Sequence, residues 1–153
     1  MSTPEEKLEE LGITLPPIPA AGGNYLPYRK VGSVVYLSGV ISVGENGIHE
    51  GQVGDTETIE TGYAAARLCA LNALAVMKQA AGSLDKIKQI VYMGGYVNAV
   101  SGFPSSPLVI NGASDLFAEV LGDAGQHARA ALAVAGLPKN ATVEIQVVVE
   151  ISE

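Results

Sequence analysis

Apolar residues recur at alternating spacings of three and four from Glu57 to Ala81, the period of one buried stripe on a long helix. The stripe consists of Ile59, Tyr63, Ala66, Ala70, Leu74, Met77 and Ala81. Asp55 or Thr56 is expected to cap this helix, and Gly82 is expected to end it. The segment therefore predicts the longest helix of the chain, with the stripe facing a core.

Two further segments have helical signals. Ser106 followed by Pro107 is typical of a cap and a first-turn proline, and apolar residues at helical spacing continue to Gly122. Residues 3–11 begin with a threonine cap and a first-turn proline, and a glycine follows their end. We predict a second long helix that ends before Gly122 and a short, exposed helix near the N-terminus.

The chain is long enough for one domain with a core of its own, since 48% of its 153 residues are hydrophobic and 16% are charged. Residues 15–23 contain three prolines and two glycines, which predicts an extended connector. We therefore divide the chain into an N-terminal helix with its connector, residues 1–19, and a single domain, residues 20–153.

Segments rich in Val, Ile and Tyr predict the strands. They cover residues 28–31, 33–41, 48–53, 87–97, 128–135 and 142–151. The strand over 33–41 is expected to end near Ser38 and Gly39, and Gly94 with Gly95 indicates a bulge or a close backbone approach. The last two strands, joined by a turn through residues 136–140, are expected to pair as a hairpin.

This order of elements predicts an α+β fold with a mixed sheet and two helices on one face. In the last strand an apolar row alternates with the row Glu144, Gln146, Val148 and Glu150. The second row would leave the other sheet face semi-polar. We expect that face to require association with another subunit.

Charge and cysteine content exclude several classes of protein. The net charge of −7 opposes capture of a polyanion, so nucleic acid is not an expected partner. Cys69 is the one cysteine, and His49 and His127 lie far apart, so neither an internal disulfide nor a metal cluster is expected. No apolar run reaches the ~20 residues that span a bilayer, and the first ten residues are acidic. We expect a soluble cytoplasmic protein without a membrane partner.

Arg129 is the first candidate for chemistry. Strand alternation places it on the same face as Ala131, Ala133 and Ala135. Small side chains beside a planar guanidinium leave free space next to it, where a small carboxylate could bind through two hydrogen bonds. The alternative is an ion pair between Arg129 and a nearby acid at the rim.

Glu144 is the second candidate. In the predicted hairpin it lies on the Arg129 face and opposite Ala133, roughly 13 Å from Arg129 at ~3.3 Å per residue. A carboxylate there could position a water molecule, or it could face a neighbouring subunit. The alternative is an ordinary solvated strand glutamate.

Five other residues each have an ordinary interpretation. Cys69, Tyr63 and Met77 are interpreted as core residues, and His127 as a surface-loop histidine, although it could also polarise the mouth of a cleft. Tyr25 follows two glycines and is either an aromatic lid or an anchor for the connector.

The block from Arg129 to Glu144 resembles the C-terminal signature of the reactive-intermediate deaminase (Rid) family, the YjgF-type proteins often labelled endoribonuclease L-PSP. The family pattern is an arginine, small and apolar residues, Leu-Pro, here Leu137-Pro138, and a glutamate six residues later. Further similarities occur in the same order over roughly residues 20–151. These are Gly23-Asn24-Tyr25, Val35-Tyr36-Leu37-Ser38-Gly39 and Ile110-Asn111.

The resemblance implies a chorismate-mutase-like α+β fold assembled as a homotrimer, with three clefts between subunits. It implies hydrolysis of enamine and imine carboxylates, such as 2-aminoacrylate, to a 2-keto acid and ammonia, with no cofactor. Arg129 would grip the substrate carboxylate and Glu144 would orient or deprotonate water. The residues that would shape the cleft are Tyr25, Ser38 and Asn111.

The chain departs from the family pattern at Ala131, where active deaminases of the family commonly carry cysteine. A thiol nucleophile is therefore absent, although backbone groups at Ala131 could still contact the substrate. Two other functions stay open: a noncatalytic trimer that binds or senses a small carboxylate, and, against the acidic charge balance, a ribonuclease.

Overall fold

One mixed six-stranded sheet organises the protein in the computed structural model, which describes residues 1–152. Its strands are β1 (Tyr28–Val31), β2 (Val34–Leu37), β3 (Val40–Ile41), β6 (Ile87–Asn98), β7 (Ala128–Val134) and β8 (Val143–Ile151). The order across the sheet is β1-β2-β8-β6-β7, and β3 also pairs with β8. The sheet is antiparallel apart from the β6–β7 pair. A mixed, mostly antiparallel sheet is thus confirmed.

Two of the predicted strands differ in detail. The strand over residues 33–41 is interrupted at Ser38 and Gly39, as expected, and continues briefly as β3. The predicted strand 48–53 is reduced to a small hairpin, β4 (Val43–Gly44) with β5 (Gly47–Ile48), and to isolated bridges at Glu50 and Val53.

Residues 1–152 also form three α-helices: α1 (Pro4–Glu10), α2 (Ile59–Ala81) and α3 (Ser106–Leu121). The two long helices pack against each other and on one face of the sheet, as predicted. The short helix α1 is present, but Leu8 is buried and the Glu5 carboxylate accepts a hydrogen bond from the Leu84 amide at 2.7 Å. The N-terminal helix is therefore fastened to the domain rather than fully exposed.

The helix caps lie slightly later or earlier than predicted. Thr58, not Asp55 or Thr56, caps α2, because its side chain accepts a hydrogen bond from the Thr61 amide in a capping box. The N-cap of α3 is Ser105. Ser106 is instead free to donate its hydroxyl hydrogen to the Ala131 carbonyl of β7 at 3.0 Å.

The buried stripe of α2 is largely confirmed. Ala66, Ala70, Leu74 and Met77 are fully buried, and Cys69 beside them is buried as predicted. Tyr63 is not a core residue, since 36% of it is exposed and its hydroxyl donates to the Asp115 carboxylate at 2.6 Å. Among residues 1–152, no helix is long and apolar enough to cross a membrane.

The predicted hairpin between the last two strands is wrong. β7 pairs in parallel with β6, and β8 lies between β2 and β6. The physical reason is the helix that connects the two strands. After β6, α3 carries the chain back along the sheet, so β7 begins beside β6 and has the same direction. The apolar β8 takes the central place, where both of its edges are paired.

The face of the sheet opposite the helices is open in a single chain. Several large apolar side chains on it or at its edge are exposed, with 51% of Tyr36, 42% of Tyr92 and 52% of Leu132 accessible. Monomers rarely leave such contiguous apolar surface in water. A single chain therefore leaves this sheet face uncovered, and its association with another subunit stays a prediction.

Glycines permit close approaches on the helix side of the sheet. A Cβ atom at Gly95 would lie 2.7 Å from Ile110 of α3, which confirms the close approach predicted for this segment of β6. At Gly112 of α3, a Cβ atom would lie 2.1 Å from the backbone oxygen of Tyr63 in α2. The two long helices are therefore in backbone contact at Gly112.

We expect Gly112→Ala to lower the free energy of unfolding by more than about 2 kcal/mol, because neither helix backbone can move without disturbing the core. Chemical denaturation measures the change. Gly136→Ala is the matched control, since a Cβ there meets nothing within 4 Å, and we expect a change below about 0.5 kcal/mol. Equal stability of the two variants would contradict this view of the α2–α3 contact.

Candidate functional site

Arg129 and Glu144 lie on opposite faces of the sheet. Arg129 of β7 pairs with Met93 of β6, which pairs with Val147 of β8, and both partners are buried beneath the helices. Glu144 is three residues from Val147 in the same strand, so alternation turns its side chain to the open face. The prediction that the two residues share a face is wrong.

The two residues are also far apart within one chain. Glu144 pairs with Tyr96 of β6 and Ile41 of β3, not with Ala133 as the predicted hairpin required. Two strand spacings and three residues along the strands separate Arg129 from Glu144, which is about 14 Å between Cα atoms. Each residue therefore belongs to its own partial site.

The first partial site surrounds the Arg129 guanidinium. Its Nη1 donates to the Ser114 hydroxyl at 2.8 Å, and its Nη2 donates to the Pro107 carbonyl at 3.2 Å. Both acceptors are neutral and both belong to α3. Within residues 1–152 no carboxylate lies within salt-bridge distance of Arg129, so the structure does not contain the rim ion pair considered as the alternative. The guanidinium keeps its charge and several N–H groups for another ligand.

Asn111 and Ala131 lie on the same elements as the Arg129 contacts, Asn111 on α3 and Ala131 on β7. Pro107, Asn111 and Ser114 are spaced i, i+4 and i+7, so Asn111 lies on the α3 face that holds Arg129. Ala131 is two residues beyond Arg129 on the same side of β7, opposite Gly95, and its carbonyl accepts the Ser106 hydroxyl. Ala131 thus lies on the Arg129 side of β7, and the helical spacing places Asn111 on the α3 face that carries Ser114.

The second partial site is a cavity of about 190 Å³ beside Glu144. Among its lining residues are Tyr25, Ser38, Gly39, Lys139 and Glu144. The Glu144 carboxylate lies directly over Gly39, because a Cβ atom at Gly39 would be 2.2 Å from its Oε2. Burial raises the pKa of Glu144 above its ordinary value, since the charged form is poorly solvated there.

Tyr25 and Ser38 hold the connector against this cavity. The Ser38 hydroxyl donates to the Leu26 carbonyl at 2.6 Å, so Ser38 fastens the segment that carries Tyr25. The Tyr25 hydroxyl accepts a hydrogen bond from the Gly22 amide at 3.0 Å, while half of the side chain stays exposed. Tyr25 therefore anchors the connector and also forms part of the cavity wall.

Three residues near these partial sites were not among the predicted site residues. Ser114 contacts Arg129, and His127, interpreted as a surface-loop residue, is half-buried and contacts Ser114. Lys139 lines the Glu144 cavity from a left-handed backbone conformation with φ of 57°. The sequence carries one usable signal for Ser114, its helical spacing of three from Asn111.

Other reactive groups are poorly placed for chemistry. Cys69 is fully buried, and burial together with the Glu144 charge raises the pKa of its thiol, which disfavours a nucleophilic thiolate. No group of three or more His, Cys, Asp or Glu side chains in the described part of the chain is arranged to hold a metal ion. Arg129 and Glu144 are left as the principal charged groups of the two partial sites.

Known proteins resemble this chain along nearly its whole length. "Protein TCP17" from Trypanosoma cruzi is 40% identical over 147 residues, which cover 95% of this chain and 92% of that protein. A crystal structure of a putative endoribonuclease from Shewanella oneidensis has a TM-score of 0.93 at 39% identity, covering 98% of this chain and 100% of the other. RidA from an Antarctic Psychrobacter has a TM-score of 0.61 at 30% identity, covering 88% and 94%.

The match to a family is equally extensive. Residues 5–151 match the family described as YjgF/chorismate mutase-like, putative endoribonuclease. The names of the two solved structures, a putative endoribonuclease and RidA, therefore agree with the resemblance found in the sequence. The chain belongs to the YjgF/Rid family and has its α+β fold.

Proposed function

We propose that the protein is a homotrimer that hydrolyses small enamine and imine carboxylates, such as 2-aminoacrylate, in clefts between its subunits. One subunit supplies Arg129, Asn111 and Ala131 to each cleft, and the next supplies Tyr25, Ser38 and Glu144. Arg129 binds the substrate carboxylate through a bidentate pair of hydrogen bonds. Glu144 activates the attacking water as a general base.

The chemistry needs little more than these groups. 2-Aminoacrylate takes a proton from solvent at its terminal carbon and becomes an iminium, and water then adds to the electrophilic carbon. Glu144 takes one proton from this water and passes it to the nitrogen. Glu144 then takes the remaining hydroxyl proton as the carbonyl forms and the carbon–nitrogen bond breaks, and the released ammonia accepts that proton. Pyruvate and ammonium are the products. The protein contributes mainly orientation and proton transfer.

The separation of Arg129 from Glu144 within one chain is the observation that carries the proposal. The guanidinium has no carboxylate partner in the described chain, and the raised pKa of the Glu144 carboxyl suits a group that exchanges protons. A second copy is the simplest source of the missing half of each site. The exposed apolar residues of the open face support contact between copies.

The proposal is tested with 2-aminoacrylate made in situ by a serine or threonine dehydratase. We expect the protein to accelerate pyruvate release, and light scattering to give a mass near three chains of 15.7 kDa each. An unchanged rate of imine loss at micromolar protein would refute the deaminase, and a monomer would refute the shared cleft.

A binding-only function is the second candidate, because Ala131 offers no side-chain nucleophile at its position beside Arg129. It predicts that a carboxylate such as pyruvate raises the melting temperature without turnover of 2-aminoacrylate. Ribonuclease activity is not proposed, because a net charge of −7 disfavours contact with RNA phosphates.

Gly39→Ala tests the place of the Glu144 carboxylate. The added Cβ would overlap the flexible end of Glu144 rather than backbone, so we expect the carboxylate to move while the fold survives. The turnover number should fall about tenfold or more, and the melting temperature should change by only a few degrees. Gly136→Ala is again the control, and equal turnover by both variants would contradict the assignment.

A further inference from the structure

A continuous chain of hydrogen bonds extends behind Arg129. Arg129 Nη1 lies 2.8 Å from the Ser114 hydroxyl oxygen, which lies 2.9 Å from His127 Nε2. His127 Nδ1 lies 2.6 Å from the Gly125 carbonyl oxygen. The ring of His127 also meets Phe117 edge to face, with centroids 6.0 Å apart and planes at 86°. The imidazole is therefore fixed both by polar contacts and by packing.

The Gly125 carbonyl, at one end of this series, determines the direction of each hydrogen bond. The Gly125 carbonyl only accepts, so His127 carries a hydrogen on Nδ1, and a ring with its hydrogen on that nitrogen accepts at Nε2. The Ser114 hydroxyl donates its hydrogen to Nε2. This leaves the Ser114 oxygen oriented to accept from Arg129.

We propose that Ser114 and His127 are positioning residues that set the orientation of the Arg129 guanidinium for the substrate carboxylate. The inference deepens the proposed function and rests on it. Neither residue touches the substrate. His127 fixes the Ser114 hydroxyl, and Ser114 together with the Pro107 carbonyl fixes one edge of the guanidinium.

This arrangement holds the Arg129 guanidinium in one orientation before a carboxylate binds. A solvated arginine samples many rotamers and must lose that freedom when it binds a carboxylate. Two hydrogen bonds to α3 hold the Arg129 side chain before the ligand arrives, and its remaining N–H groups stay available for two parallel bonds. Loss of the Ser114 hydroxyl should therefore weaken carboxylate binding more than it slows the chemical step.

The test compares Ser114→Ala with Ser114→Thr, and His127→Phe with His127→Gln. Alanine and phenylalanine remove the relay, whereas threonine keeps the hydroxyl and glutamine offers an amide oxygen where Nε2 was. We expect the dissociation constant of pyruvate and the KM for 2-aminoacrylate to rise about tenfold in Ser114→Ala and His127→Phe, with kcat within about threefold. The threonine and glutamine variants should stay within about threefold of the unmodified protein.

Tyr63→Phe and Arg129→Ala are the controls. Tyr63→Phe also removes a hydrogen bond to α3, at Asp115 next to Ser114, and should leave pyruvate binding unchanged. If Arg129→Ala weakens binding but Ser114→Ala does not, or if threonine fails to rescue, the positioning role is wrong and the proposed function stands. If Arg129→Ala binds pyruvate like the unmodified protein, Arg129 is not the anchor and both proposals fail.

Discussion

Arg129→Ala is expected to lower kcat/KM for 2-aminoacrylate by on the order of 100-fold or more, because it removes the charged partner of the substrate carboxylate. Arg129→Lys should recover little of this loss. A lysine ammonium is a point charge that cannot reproduce the two parallel donors, nor bond Ser114 and Pro107 together. Initial rates of pyruvate release measure the effect.

Arg67→Ala is the matched control for the loss of a positive charge. Arg67 is exposed on α2, and its replacement should leave the rate unchanged. Melting curves of the Arg129 variants establish that they are folded. Full activity in a folded Arg129→Lys variant would show that charge alone suffices, and full activity in Arg129→Ala would remove Arg129 from the site.

Glu144→Gln is expected to lower kcat by roughly 10²- to 10⁴-fold with little change in KM, because the amide cannot take a proton from water. The variant should fold at least as well as the unmodified protein. The raised pKa of Glu144 means that the native state disfavours the ionised form, and glutamine removes this penalty above that pKa. A rise in KM with an unchanged kcat would instead place Glu144 in substrate recognition.

The pKa of Glu144 also determines how the catalytic rate depends on pH. A general base must be ionised, so the rate should fall as the pH decreases through the pKa of Glu144. Burial raises this pKa above the ordinary glutamate value, so the fall should begin at a higher pH than for a solvated glutamate. A kcat profile that is flat across the acidic range, in a folded protein, would contradict the role of Glu144 as base.

The local pattern of apolar and polar residues was sufficient to predict most helices and strands. The α2 stripe and the strand signals depend on neighbours within one helical turn or one strand, and both were predicted. The pairing of β7 and β8 was not, because strand partners depend on the route of the chain through α3 rather than on the turn that joins two neighbouring strands. The error in pairing then placed Glu144 on the wrong face.

In the candidate site, too, some residues could be predicted from the sequence and others only from the structure. Arg129 and Glu144 were found from their residue types, their strand alternation and the family resemblance. Ser114 and His127 act through contacts between α3 and the residues that precede and begin β7, and the helical spacing of Ser114 from Asn111 does not reveal those contacts. In the sequence, His127 is indistinguishable from an ordinary loop histidine. Only the structure shows that both of its ring nitrogens form hydrogen bonds.

The central claim is that each site combines Arg129 of one copy with Glu144 of another, and subunit mixing tests it most directly. Arg129→Ala and Glu144→Gln, each inactive alone, are unfolded and refolded together in equal amounts. In a ring of three subunits, about a quarter of the clefts then receive both intact residues, so about a quarter of the unmodified activity should return. Mass spectrometry verifies that mixed trimers form. Mixed trimers as inactive as either parent would contradict the account.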